Sequence, residues 1–149
     1  MSAVVIGVGN EFRRDDGAGP EVVARLRGRV PDGAELVVSD GEPARMIEAW
    51  EGVPLAVVVD AVRAEPAVPG RLHRLVLDRA AAGPSGPVSS HGLGLDDAIG
   101  LALALDRMPG RLIVHAVEAG DLSQGAGLTP AVAGVIDTLA AAVLHDLRS

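Results

Sequence analysis

Runs of apolar residues that end at polar or glycine positions predict the strands of an α/β fold. The first and third runs are apolar throughout, as expected when both faces of a parallel sheet are covered. Helical patterns link the first three strands, so these should run in one direction, and the fifth is placed with them. The predicted parallel strands are residues 3–6 or 3–8, 35–39, 55–59 and 112–117.

Apolar residues spaced three and four positions apart predict helices between and after these strands. Pro20 suits the first turn of the first helix, because that position needs no amide donor. Thr129 and Pro130 likewise provide a cap and a first-turn proline for the last helix. The helices are expected at residues 19–30, from 43 to a stop at Gly52, at 92–106, and from 130 through 143.

Residues 71–77 predict a fourth strand of mixed character, whose polar half favours a sheet edge with one face in water. The connection from Asp60 contains prolines and no helical pattern, so this strand should be antiparallel to the third. Residues 80–90, rich in Ala, Gly, Pro and Ser, are expected to form a loop. The whole pattern predicts one domain over residues 1–149, a three-layer α/β/α sandwich around a five-stranded mixed sheet with one antiparallel strand.

The composition excludes several classes of partner and site. The 149 residues carry a net charge of −7 and no lysine, so nucleic acid and anionic membranes are poor partners. The absence of cysteine excludes disulfides, thiolate metal sites and a cysteine nucleophile. No apolar run approaches the roughly 20 residues of a membrane span. The first residues enter a strand without a charged leader, so the expected location is the cytoplasm.

The glycine-rich segment at residues 7–17 lies where the first strand meets the first helix, a position at which α/β proteins place their chemistry. It is not a dinucleotide fingerprint, because Phe12 stands where the third glycine of G-x-G-x-x-G belongs. The carboxylates of Asp15 and Asp16 would also repel a pyrophosphate. Asp15 is expected either to face solvent or to hold the loop. The arginines at 13–14 fit a solvated loop better than a binding clamp.

Several polar residues follow predicted parallel strands and should therefore lie at one edge of the sheet, its carboxyl edge. The antiparallel fourth strand leaves the chain at the opposite edge. The loop after it has about 13 residues at ~3.3 Å each, which is enough to cross back and bring the next helix start to the same crevice. The polar residues expected there are Asn10, Asp16, Asp40, Asp60, His91 and Glu118.

Asp16, Asp60 and His91 together form an oxygen and nitrogen site for a divalent metal with open coordination positions. No local spacing announces such a site, and each residue also has a plainer interpretation. Asp16 is open to a role as a helix-start carboxylate, Asp60 as the cap of a turn, and His91 as a hydrogen-bonding loop residue.

The other histidines are expected in structural or solvated positions. His73 and His145 should be surface residues. His115 lies inside a strand and should be a hydrogen-bonded histidine of the core or sheet edge. Glu118 is a weaker site candidate than the three residues above.

Four short blocks of the chain carry a family resemblance in their order and spacing. They are Gly-Val-Gly-Asn at 7–10 with Asp-Asp-Gly-Ala-Gly at 15–19, Val-Asp-Ala at 59–61, Ser-His-Gly-Leu-Gly-Leu at 90–95, and Gly-Leu-Thr-Pro at 127–130. Over nearly its whole length the chain resembles the hydrogenase maturation endopeptidases, which trim the large subunit of nickel–iron hydrogenases. The resemblance implies the same three-layer mixed sheet, of phosphorylase/hydrolase-like type.

The resemblance also implies an activity and its residues. The metal-contacting positions of the family fall on Asp16, Asp60 and His91. Asp40 remains from a family Asp-Gly-Gly-Thr that is Asp-Gly-Glu-Pro here, at 40–43, and it joins the other three as a catalytic candidate. The implied reaction removes a C-terminal extension from a hydrogenase large-subunit precursor that already holds nickel. The nickel then belongs to the substrate, and the protease lends temporary ligands and need not carry metal when purified.

Three mechanisms stay open under this resemblance. Nickel polarises the scissile carbonyl or activates a water, Asp16 or Asp60 acts as general base, or the two carboxylates share a proton as in aspartic proteases. Two other functions compete: a metal-dependent hydrolase of other peptides or amides with its own metal, and a non-catalytic nickel-binding chaperone of hydrogenase assembly. A nucleotide-binding role ranks last because of Phe12.

Overall fold

One mixed sheet forms the centre of the structure, a computed structural model that describes residues 3–78 and 95–148. Its strands are β1 (Ala3–Val8), β2 (Ala34–Ser39), β3 (Leu55–Val62), β4 (Leu72–Asp78) and β5 (Arg111–Glu118). Their order is β2-β1-β3-β5-β4, in which β4 pairs antiparallel with β5 and the other pairs are parallel. The predicted directions and the edge position of the fourth strand are confirmed.

Helices cover both faces of the sheet, as predicted. They are α1 (Ala18–Leu26), α2 (Pro43–Trp50), α3 (Asp96–Ala104), α4 (Pro130–Ala133) and α5 (Ile136–Arg148), and a short 3₁₀ helix at Arg14–Gly17 precedes α1. Successive residues of β1 alternate between two buried clusters: Val5 packs with α1 and α5, whereas Val4 and Ile6 pack with α2 and α3. The continuous apolar runs therefore reflect two covered faces.

Two strands are longer than predicted, which moves two carboxylates into the sheet. β3 continues through Asp60 to Val62, because residues 60–62 keep pairing with residues 116–118 of β5. The expectation that Asp60 follows the end of its strand is therefore wrong. Glu118 is likewise the last residue of β5 and not the first residue after it.

Two helices are shorter than their patterns predicted. α1 ends at Leu26, because Arg27 is extended and Gly28 has a φ of 76°. Val30 still packs against the core, which explains why its spacing looked helical. α3 ends at Ala104, and the predicted start of that helix at residue 92 lies outside the described residues, together with the predicted loop at 80–90.

The last predicted helix is divided into α4 and α5 at Gly134 and Val135. Within the described chain, Pro130–Arg148 is the one stretch that is long and apolar enough to cross a membrane by length and composition, with a mean hydropathy of 1.4. Its inward residues, such as Leu139 and Val143, are buried in the cluster that α5 shares with α1 and β3. A core helix therefore accounts for its apolar character.

The connection from β1 to α1 lies very close to the strand ends, and two glycines make this approach possible. A Cβ on Gly19 would lie 2.5 Å from the carbonyl oxygen of Val8 and 2.6 Å from that of Val59. Gly9 has a φ of 141°, and a Cβ there would lie 1.8 Å from the carbonyl oxygen of Asp16. The 3₁₀ helix and α1 thus rest directly on the ends of β1 and β3.

We expect Gly19→Ala to lower the free energy of unfolding by at least about 2 kcal/mol, because two backbone oxygens must move to admit the methyl group. Gly100→Ala in α3 is a matched control, since nothing lies within 4 Å of an added Cβ there. That alanine should stabilise the helix by about 0.5–1 kcal/mol. Urea unfolding measures both changes, and a Gly19 variant as stable as the parent protein would contradict the close approach.

Candidate functional site

The 3₁₀ helix places Asp16 at the carboxyl edge of the sheet. Its amide donates to the carbonyl of Arg13, and its Oδ2 accepts from the amide of Asn10 at 2.8 Å. The Asn10 side chain in turn accepts from the amide of Phe12 at 2.9 Å. The loop thus holds one carboxylate oxygen of the half-buried Asp16. The other oxygen has no hydrogen-bond partner within the described residues.

The carboxyl group of Asp60 lies in β3 with only 4% of the residue exposed. Burial and the nearby charge of Asp16 raise the pKa of Asp60 from 3.8 to about 7, against the opposing effect of a hydrogen bond from the amide of Ala61. The two predicted site carboxylates are therefore electrostatic neighbours. Neither forms an ion pair with a cationic side chain in the part of the chain that the structure describes.

The third predicted ligand, His91, lies outside the described residues. Within residues 3–78 and 95–148 there is no group of three or more His, Cys, Asp or Glu that could hold a metal ion. The described chain thus supplies two of the three predicted ligands, and the metal site stays a prediction. Carboxylate oxygens suit a divalent cation, and an imidazole nitrogen would complete the oxygen and nitrogen set.

Asp15 is the fully buried residue of the adjacent pair Asp15 and Asp16. It fastens the connection after β1 to the loop between β5 and α4. Its Oδ2 accepts from the amides of Gly120 at 2.7 Å and Asp121 at 3.1 Å, and its Oδ1 accepts from the amide of Thr129 at 2.7 Å. The Thr129 hydroxyl donates to the same carboxylate at 2.8 Å. Of the two open interpretations of Asp15, holding the loop is confirmed and facing solvent is wrong.

Thr129 occupies the predicted cap position before α4, but its side chain does not cap that helix. Its hydroxyl binds Asp15 instead. Sequence reasoning missed this contact because the two residues are 114 positions apart. The available signal was that both belong to blocks of the family resemblance, at 15–19 and 127–130.

Backbone hydrogen bonds join the same two loops. The amide of Gly125 donates to the carbonyl of Phe12, and the amide of Arg14 donates to the carbonyl of Gly125, both at 2.9 Å. The Arg14 side chain packs over Gly125, where a Cβ would lie 2.8 Å from the guanidinium, and it approaches Asp121 to 3.7 Å. Arg14, with 41% of its side chain exposed, and the exposed Arg13 are therefore compatible with the predicted solvated loop.

Asp40 follows β2 at the carboxyl edge, two strands away from β3. Its side chain is 63% exposed and lies 2.7 Å from the guanidinium of Arg45. The amide of Glu42 and then Arg45 hold the pKa of Asp40 below its usual range. The proposed catalytic role of Asp40 stays a prediction.

Glu118 is buried and has structural partners at the end of β5. It accepts from the amide of Val68 at 2.8 Å and lies 2.7 Å from Nε2 of His73. The Val68 amide, followed by His73, holds the pKa of Glu118 below its usual range. Glu118 therefore secures the connection between β3 and β4. The His73 side chain is 52% exposed, so its predicted surface position is confirmed.

His115 is the hydrogen-bonded core histidine that the sequence predicted. Its Nε2 lies 2.6 Å from Oδ2 of Asp146 in α5, and both residues are buried. Arg74 of β4 donates to the other oxygen of Asp146 at 2.8 Å. This group ties α5 to β5 and β4, the two outermost strands on one side of the sheet. His145 is exposed, as predicted.

A family model described as hydrogenase maturation protease matches residues 20–146 of this chain. The hydrogenase 2 maturation protease of Escherichia coli K12 is 27% identical over 150 residues, covering 99% of this chain and 92% of that protein.

Solved structures of hydrogenase maturation proteases share the fold of this chain. The hydrogenase maturating endopeptidase of E. coli matches with a TM-score of 0.80 and 26% identity, over 99% of this chain and 93% of that one. A nickel–iron hydrogenase maturation protease from Thermococcus kodakarensis, 21% identical, shares the fold with a TM-score of 0.72 over 100% of both chains.

Asp60 should make the stability of the protein fall as the pH rises from about 4 to 7. The folded state keeps a proton, up to a pKa of about 7, that the unfolded chain releases near 3.8. The contribution of Asp60 to stability is therefore fully present below a pH of 3.8 and is lost as the pH rises through about 7. Asp60→Asn cannot ionise, so it should gain stability over the parent protein across this interval, by at most about 4 kcal/mol.

Thermal unfolding of both proteins at pH 4.5 and pH 8 measures this difference. Asp16→Asn is the companion variant. It removes the smaller cause of the raised pKa, so it should weaken the pH dependence and leave the part due to burial. A stability difference between parent and Asp60→Asn that is the same at both pH values would contradict the assignment.

Thr129→Val should lower the free energy of unfolding by about 1–2 kcal/mol, because it deletes a hydroxyl donor to the buried Asp15 at nearly constant volume. Thr129→Ser keeps the hydroxyl and should lose less. Denaturant unfolding compares the two variants. If the valine variant equals the serine variant in stability, the hydroxyl contact does not fasten the loops.

Proposed function

Because this chain belongs to the hydrogenase maturation protease family, whose members are peptidases, we propose that it removes a C-terminal extension from the large-subunit precursor of a nickel–iron hydrogenase. The precursor already holds nickel, and the protease recognises that nickel with Asp16, Asp60 and His91. Asp40, in the loop after β2, is a further catalytic residue. The metal is part of the substrate and not a resident cofactor.

The observation that carries this proposal is the pair of carboxylates formed by Asp16 and Asp60. Buried like charges are costly unless a cation neutralises them. Of the arginines on the loops around this edge, Arg14 lies 3.7 Å from Asp121 and Arg45 lies 2.7 Å from Asp40, and within the described residues none forms an ion pair with Asp16 or Asp60. A divalent cation carried in by the substrate would supply the missing positive charge.

The raised pKa of Asp60 supports a part in proton transfer. A group with a pKa of about 7 exchanges its proton readily at neutral pH. In hydrolysis, the oxygen of a water bonds to the scissile carbonyl carbon while Asp60 accepts the proton of that water. The bond from carbon to nitrogen then breaks, and the released amine takes up the proton that Asp60 accepted, which returns Asp60 to its starting form. Asp16 either shares the proton of Asp60 or binds the nickel of the substrate.

Two alternatives give different results in the same assay. A metal-dependent hydrolase of other peptides would hold its own metal after purification. A nickel-binding chaperone of hydrogenase assembly would bind the precursor without shortening it. The predicted cytoplasmic location goes with the proposal and stays a prediction.

The decisive test is incubation with nickel-loaded and with nickel-free precursor, followed by mass measurement of the large subunit. We expect shortening of the nickel-loaded form only. Asp60→Asn should slow cleavage by at least about 100-fold, within the range for loss of a general base. Asp32→Asn is the matched control, because Asp32 is an exposed carboxylate in the turn before β2. Its rate should equal that of the parent protein.

Binding measurements assign the roles. If Asp60→Asn still associates with precursor in a nickel-dependent way, Asp60 acts in proton transfer, and if association is lost, it is a ligand. His91→Ala should weaken association. Equal cleavage of nickel-free precursor, or unchanged cleavage by His91→Ala, would remove nickel recognition by this set from the mechanism.

A further inference from the structure

Large apolar side chains are exposed in two regions of the described chain, and one of them is the carboxyl edge. The region at the opposite edge comprises Leu101, Leu103 and Leu105 in and just after α3. The carboxyl-edge group, which we call the apolar rim, comprises Phe12, Val38, Val68 and Leu72.

The apolar rim follows the sheet from one side to the other. Val38 lies near the end of β2, and Phe12 follows β1. Val68 lies in the connection after β3, and Leu72 opens β4 opposite Val117 near the end of β5. Exposed apolar side chains therefore occur near the ends of β1 and β2, in the connection after β3 and at the start of β4, at the edge where Asp16 and Asp60 lie.

Phe12 is the most exposed member, at 66%, and its loop is held from both sides. Its amide donates to the side chain of Asn10, and its carbonyl accepts from Gly125, each at 2.9 Å. The next amide, that of Arg13, donates to the carbonyl of Asn10 at 3.0 Å. An aromatic ring on an ordered backbone loses little conformational freedom when a partner covers it.

We propose that Phe12 is the anchor of a docking surface, the apolar rim, for the folded large-subunit precursor next to its scissile segment. This inference rests on the proposed function. Phe12 lies four residues before Asp16 on the same loop, so any protein whose nickel reaches Asp16 must come close to Phe12. The matching surface of the precursor is apolar, because buried aromatic anchors gain from contact with apolar pockets.

The negative charge of this chain limits what charge attraction can add to the contact with a partner that is not basic. The chain has a net charge of −7, which includes Asp16 and Asp60 at the carboxyl edge, and neither of these two has an ion-pair partner within the described residues. A folded protein partner of ordinary net charge gains little from long-range attraction to such an edge. Contact area around the nickel must then supply affinity, and exposed apolar side chains are the groups that provide it.

Steady-state cleavage of nickel-loaded precursor tests the proposal with three variants. Phe12→Ala should raise KM about tenfold, which corresponds to about 1.4 kcal/mol, and leave kcat unchanged, because the ring binds substrate and does not touch the reacting atoms. Phe12→Leu keeps an apolar side chain and should raise KM less than threefold. Leu105→Ala is the matched control, with 51% exposure at the opposite edge, and should leave both constants unchanged.

The outcomes separate the docking surface from the proposed function. If the parent protein cleaves and Phe12→Ala has an unchanged KM, the docking surface is wrong and the function stands. If the parent protein binds precursor without cleaving it and Phe12→Ala weakens that binding, the function is wrong and the docking surface stands. If sedimentation shows that Phe12→Ala dissociates a dimer of this chain, the rim pairs two copies and the proposal is overturned.

Discussion

The close packing of the β1–α1 connection against the strand ends is the constraint on which the candidate site depends. Gly9 and Gly19 have no side chain, so the 3₁₀ helix and the start of α1 contact the backbone of β1 and β3 directly. Asp15 then ties this connection to the loop before α4 through a carboxylate surrounded by donors. Asp16, the next residue, is thereby held at the edge with an oxygen free of hydrogen bonds within the described chain.

Burial of Asp60 gives this edge its chemical character. A carboxylate inside a strand, close to a second carboxylate, is unfavourable in its charged form, and the pKa of about 7 expresses that cost. The fold tolerates the cost because β3 is packed on both faces by apolar side chains such as Val57 and Val58. Strain of this kind, placed where several chain segments meet, is typical of functional sites.

Three buried acidic residues show how differently the fold uses one functional group. Asp15 is satisfied by donors and Asp146 by His115 and Arg74, so both stabilise contacts between elements. Asp60 accepts a hydrogen bond from the amide of Ala61 but is buried beside the like charge of Asp16, so its charged form is disfavoured. Sequence alone ranks these residues poorly, because the partners that decide each role lie far away along the chain.

Hydrophobic periodicity determined the five strands and the two helical layers, because burial of apolar residues is a local property of the pattern. The strand directions, and with them the edge at which the candidate carboxylates meet, followed from the presence or absence of a helical pattern in each connection. Tertiary pairing decided what the pattern could not. β5 extends β3 through Asp60 and turns a presumed loop residue into a buried acid. The hydroxyl of Thr129 donates to Asp15 and makes no cap bond to α4. Contacts of this kind, between residues far apart along the chain, exist only once the chain is folded.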